Sequence, residues 1–103
     1  MPYGVVIDVP APVEMYDALH TAIVGRSGAS IDGLLFHLGR TTSDGFQVIE
    51  VWESREHYDR YNDELVRPVV TELSGGQVPP PSNQTTEEFE VRGLVIPRGG
   101  VLL

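Results

Sequence analysis

The chain has 103 residues, no cysteine, and 15 acidic against 7 basic side chains, for a formal charge of −8. This length fits one domain spanning residues 1–103. The missing cysteines exclude disulfides, thiolate catalysis and thiolate metal sites, and the acidity, with no Lys/Arg cluster, argues against partners such as nucleic acid or an anionic membrane surface.

The first run, Tyr3 to Val9, is rich in β-formers and ends at Pro10. It lacks the basic region and apolar length of a secretory leader, and no segment approaches the ~20 apolar residues of a membrane span. A cytoplasmic protein is expected. Pro12 suits a first helical turn, and Val13, Tyr16, Leu19 and Ile23 then recur at helical spacing to about Val24, where Gly25 and Gly28 close the helix. Asp32–Arg40 and Phe46–Glu53 read as strands joined through Asp44-Gly45, a hairpin-turn pair. Ser54 is the expected N-cap of a second helix, with Glu56 favourable in its first turn. Tyr58, Tyr61, Leu65 and Val69 form one stripe of that helix, and Pro68 should kink or restart it near Val66–Arg67. A polar Pro/Gly-rich loop over residues 74–87 precedes a fourth strand, Glu88–Ile96. Pro97 to Gly100 is a turn, and Val101–Leu103 an apolar tail.

The order β-α-β-β-α-β predicts an α+β, ferredoxin-like protomer with the third strand between the first and second. Side chains alternate along strands. Leu34, Phe36 and Leu38, Ile49 and Val51, and Val5, Ile7 and Val9 form wholly apolar sets, which assigns them to the core under the helices. A two-residue turn pairs Ser43 with Phe46 and puts His37 opposite Trp52. The other face then carries Val6, Asp8, Leu35, His37, Phe46, Val48, Glu50 and Trp52. It is too apolar to face water, so a homodimer that packs two such faces together is expected.

The run V-I-E-V-W-E-S-R-E-H-Y-D-R-Y, Val48 to Tyr61, resembles the antibiotic-biosynthesis-monooxygenase-like group of the dimeric α+β barrel superfamily. The preceding strand D-G-L-L-F-H-L-G-R and Arg67-Pro68 fit as well, and the resemblance covers most of Tyr3 to Val70. It implies a dimeric α+β barrel with a pocket between sheet and helices. The superfamily includes cofactor-independent oxygenases of polyketide-like phenols, heme-degrading oxygenases, isomerases and members with no known reaction. Heme degraders use an asparagine on the first strand, a tryptophan on the second helix and a histidine ten residues later. Tyr61 and Thr71 stand at those helix positions here, and strand one has no asparagine. Thr71 is a poor iron ligand, so heme chemistry is not expected.

Two constellations stand out. Tyr61, Tyr58 and His20, with Tyr16 four residues before His20, could line an aromatic pocket whose hydroxyls hold a phenolic ligand. His37, Glu50 and Trp52, with Asp8, could converge on the bare sheet face, with His37 as an acid/base oriented by a carboxylate. The bland alternatives are core packing for the first and a buried hydrogen-bond network fixing the dimer for the second. His57 and the arginines Arg92 and Arg98 read as surface residues. Tyr61, His20, His37 and Glu50 are thus the candidate catalytic residues, and Tyr16, Tyr58 and Trp52 the candidate substrate-binding ones. A monooxygenase-like enzyme for a small aromatic or polyketide-type substrate, with no metal or organic cofactor, is the leading expectation. A non-catalytic ligand-binding or accessory dimer and an acid/base isomerase or cyclase are the alternatives.

Overall fold

A computed structural model describes residues 2–27, 31–73, 75 and 84–96. The elements follow in the expected order: β1 Tyr3–Val9, α1 Val13–Ser27, β2 Leu34–Thr41, β3 Phe46–Trp52, α2 Arg55–Tyr61, a π-turn Asn62–Val66, α3 Arg67–Leu73 and β4 Thr85–Glu90. The sheet order is β2-β3-β1-β4, and every neighbouring pair is antiparallel. The helix α1 runs through Gly25 to Ser27 instead of closing there. The fourth strand starts three residues earlier than expected and stops at Glu90, so residues 91–96 form no strand. Most of the Pro/Gly-rich loop, Gly28 and the tail 97–103 lie outside the described residues.

Local chemistry explains the second helix. Ser54 is extended, and its hydroxyl accepts the His57 N–H, which satisfies one orphan donor of the first turn. The α-helical pitch gives way after Tyr61, and Arg67 N–H bonds the carbonyl of Asn62, five residues back. Pro68, which has no N–H, follows at once. The wide turn meets its missing donor and lets the ring pass the preceding carbonyls, after which α3 resumes.

The register is Thr41 with Phe46, His37 with Glu50 and Gly39 with Val48. Residues 42–45 form the loop, closed by Thr42 N–H to the Gly45 carbonyl. The pairing is therefore displaced by two residues from that expected, and His37 keeps the same face as Trp52. A bulge between Leu34 and Phe36 brings Leu34 opposite Trp52.

The face covered by the helices is the opposite of the one expected for β2 and β3. Val5 pairs with Glu50, Ile7 with Val48 and Val9 with Phe46, so the apolar face of β1 lies with Phe46, Glu50 and Trp52 beneath the helices. Phe46, Glu50 and Trp52 are 4%, 3% and 0% exposed, whereas Phe36 and Leu38 are 36% and 42% exposed on the open face. Both faces of these strands are apolar, so alternation alone could not choose between them. The large rings of Phe46 and Trp52 decide it, since they bury the most surface against the helices. The open face also carries Val6, Ile49, Phe89 and Val51, and Val51 is nevertheless buried there, at 5% exposure. The Phe89 ring occupies the space over Gly4, which pairs with Val51. At one end of this face Arg40 donates to Gln47 (2.7 Å) and Gln47 to Asp8 (2.9 Å).

Candidate functional site

The helix-covered face of the sheet holds a continuous polar chain. Trp52 Nε1 donates to Glu50 Oε1 at 3.2 Å, and His37 Nδ1 bonds Glu50 Oε2 at 2.7 Å. The Tyr16 hydroxyl bonds His37 Nε2 at 2.8 Å, with His20 Nδ1 at 3.5 Å beyond it. Glu50 and His37 meet because they are cross-strand partners on β3 and β2, and Tyr16 reaches them from α1. The approach depends on Gly39. A Cβ there would fall inside the Tyr16 ring, so only glycine leaves the room.

A glutamate carboxylate only accepts, so His37 gives it the Nδ1 hydrogen, and a neutral His37 then keeps a lone pair on Nε2 for the Tyr16 hydroxyl. Tyr16, His20 and His37 lie with their rings near-parallel, at centroid separations of 5.5 to 6.0 Å and interplanar angles of 12° to 17°. Glu50 is buried and His37 nearly so, at 4% and 23% side-chain exposure. The buried carboxylate thus sits at the inner end, and the histidine–phenol pair faces outward.

At the other end of β3, Trp52 is enclosed by α2. Its ring lies 4.8 Å from that of Tyr61 and 6.0 Å from that of Tyr58, and the Tyr3 ring lies tilted against Tyr58 at 5.5 Å. Burial is the main cause that pushes the phenols of Tyr61, Tyr58 and Tyr16 above the ordinary tyrosine range, and the negative charge of Glu50 adds to each. The Tyr3 phenol is pushed up to about 12, again chiefly by burial. These hydroxyls hold their protons at neutral pH and serve as donors.

The two constellations read from the sequence are therefore parts of one. His37, Glu50 and Trp52 face the helices, not the bare sheet surface, and they touch Tyr16, Tyr58 and Tyr61 directly or through one another. Asp8 is the exception, on the open face with Gln47. Among the described residues no three His, Asp or Glu side chains are grouped to hold a metal ion, and no helix is long and apolar enough to cross a membrane.

A cleft of about 250 Å³ opens beside Tyr61 between the end of α1 and the second helix, lined by Ser27, Ile31, Asp32, His57, Arg60, Tyr61, Glu64 and Leu65. Sequence reasoning left His57 on the surface. Here it is 26% exposed, bonds the Ser54 hydroxyl through Nδ1 at 2.7 Å and packs on Gly33, whose φ of +82° suits glycine. Only Ser54, three residues before His57, was a local signal; Gly33 and Asp32 are remote from it in sequence.

No protein-family model matches the sequence, and no curated protein matches it either. Solved structures do match. A protein of unknown function from Nitrosomonas europaea has a TM-score of 0.67 at 11% identity, covering 95% of this chain and 96% of that one. A protein assigned as an antibiotic biosynthesis monooxygenase from Chloroflexus aurantiacus has 0.60 at 22% identity, covering 92% and 97%. The cofactor-independent oxygenase SnoaB from Streptomyces nogalater, as a single-residue variant, has 0.55 at 15% identity, covering 91% and 94%. The sequence resemblance and these structures agree: the chain has the α+β, ferredoxin-like fold of the antibiotic-biosynthesis-monooxygenase-like proteins.

Proposed function

We propose that the protein is a cofactor-independent, monooxygenase-like enzyme acting on a small aromatic or polyketide-type phenol. The observation that carries this reading is the chain from Glu50 through His37 to Tyr16. A substrate hydroxyl that donates to the Tyr16 oxygen can lose its proton as Tyr16 passes its own to His37 Nε2. The imidazolium so formed is held by Glu50 through Nδ1, at 2.7 Å. The substrate anion is then electron-rich enough to reduce O₂. One oxygen atom becomes the new carbonyl oxygen of a quinone and the other leaves as water, which takes up the one hydrogen of the oxidised ring carbon and the hydroxyl proton returned by the relay. Tyr61 and Tyr58 hold their protons and supply donors, while Trp52 and the helices exclude water. The likeness of fold to SnoaB supports the reaction class.

The working unit of this proposal is a homodimer. Phe36 and Leu38 are exposed on the open face, and Leu94, Val95 and Ile96 are 37%, 83% and 48% exposed beyond β4. A second copy would cover apolar surface of this kind.

Oxygen uptake tests the reaction. A panel of hydroxylated aromatics should include one that consumes O₂ with the protein, and His37→Ala should abolish that uptake. Turnover without O₂ uptake would favour the isomerase or cyclase reading, since the same relay can move a proton between two substrate atoms. A ligand recovered unchanged after aerobic incubation would favour the accessory reading.

A further inference from the structure

We propose that the cleft beside Tyr61 selects an aromatic ligand that carries a positive charge, an aryl-alkylammonium. This rests on the reading above and names the substrate's charge. The lining combines an apolar floor of Ile31, Leu65 and the Tyr61 ring with a rim of ionisable groups, Asp32, His57, Arg60 and Glu64. At about 250 Å³ it admits one substituted ring, close to the lower end of small-molecule sites.

The rim decides the charge. Arg60 is already committed, with Nη1 3.1 Å from Asp32 Oδ2. His57 Nε2 lies 3.9 Å from the same oxygen and 3.7 Å from Glu53 Oε2. On the lining itself Asp32 and Glu64 stand against Arg60 and His57, so the rim sums to −1 with His57 neutral and to zero with it protonated, and Glu53, outside the lining but beside His57, adds one more negative charge in either state. An anionic ligand that took the remaining Arg60 N–H groups would meet the Asp32 and Glu64 carboxylates on the same lining. An ammonium adds to the unshared oxygen of Asp32 and to Glu64 without breaking a pair. The formal charge of −8 on the chain steers cations in the same direction. Inside, the Tyr61 hydroxyl holds its proton and can donate to the oxygen of a phenol. A ring with a phenol at one end and an ammonium at the other matches both ends.

The test is binding, not turnover, so it stands apart from the oxygenase assay. Tyramine and 3-(4-hydroxyphenyl)propionate are similar in length and opposite in charge. Amide NMR titration of the intact protein with tyramine should move the signals of Asp32, Arg60, Tyr61 and Glu64, and the propionate should bind at least about tenfold more weakly. Glu64→Gln should weaken tyramine about fivefold or more, and Leu65→Trp should block the cleft. Added salt should weaken tyramine in the parent. Equal or tighter binding of the propionate, tyramine binding that Glu64→Gln leaves unchanged, or no shifts with tyramine at millimolar concentration would each overturn the proposal. The spectrum of each variant shows whether it is folded. If either fails to fold, the comparison of the two ligands and the salt dependence decide on the parent alone.

Discussion

Replacing Glu50 by glutamine tests the polar chain most directly. The side chain keeps its size, and the site is 3% exposed, so water cannot stand in for a lost partner. Trp52 Nε1–H can only donate, so it claims the carbonyl oxygen of the new amide. The NH₂ group then faces His37 Nδ1, 2.7 Å from the carboxylate oxygen it replaces. Two donors cannot face each other, and His37 must move its hydrogen to Nε2. Tyr16 then accepts from His37 and can donate onward to His20, which reverses the chain from end to end. Two hydrogen bonds to a charged acceptor, worth about 1.5–3 kcal/mol each, become neutral ones worth about 1, so the expected loss is about 1–4 kcal/mol. At about 4–8 °C per kcal/mol for a domain of this size, Tm should fall by roughly 4–30 °C. Nitrogen-15 NMR of the imidazoles reads the hydrogen position, and urea unfolding reads the energy. If His37 in Glu50→Gln still carries its hydrogen on Nδ1, or the variant is as stable as the parent, the assigned direction of the chain is wrong.

Gly39→Ala should push the Tyr16 ring off the sheet, break its bond to His37 and cost about 1–3 kcal/mol. A variant with unchanged stability and an unchanged His37 spectrum would contradict that packing. Alkali should destabilise the fold through its phenols. Burial raises Tyr61, Tyr58 and Tyr16 above 10.0 in the folded chain. Below that pH both folded and unfolded chains keep the proton and stability is level. Above it the unfolded chain ionises first, and stability falls by up to about 1.4 kcal/mol per pH unit for each buried phenol until its folded pKa is passed. Denaturant unfolding across this range should show the fall, and Tyr61→Phe should make it shallower; a level profile would refute it. Phe36→Glu combined with Leu38→Glu should leave the circular dichroism unchanged and convert a dimer to monomer in sedimentation. A protein that sediments as a monomer before substitution would defeat the dimer proposal.

The sequence made the elements legible because each carried its own punctuation: Pro10 and Pro12, Gly45, Ser54 and Pro68. The topology followed from their order. Which face the helices cover did not follow, because apolar residues alternate on both faces of β2 and β3 and periodicity returns the same answer for either. The β1–β3 register settles it in the structure, where Val5 pairs with Glu50 and not with Ile49 or Val51, and no short turn ties these two strands in the sequence. With the faces inverted, the two predicted sites fell on opposite sides of the sheet. Once they are placed together, Tyr16 and Tyr61 frame Glu50 and His37 without any new residue. His57 was missed for a different reason: its partners Gly33 and Asp32 are remote in sequence, and only the fold brings them near.

The π-turn between Tyr61 and Arg67 carries a consequence for how helix positions can be compared among proteins of this fold. One extra residue per turn swings everything after it by about 100° relative to an uninterrupted α-helix. Residues before Asn62 and after Val66 therefore obey two different angular rulers, although the amino-acid count between them runs on unbroken. Tyr61 and Thr71 are ten positions apart, yet they do not point as two residues ten apart on a plain helix would. Aligning this segment with a straight helix by count alone would match Thr71 to a side chain that looks elsewhere. A structural superposition that admits a one-residue gap inside the turn restores the correspondence.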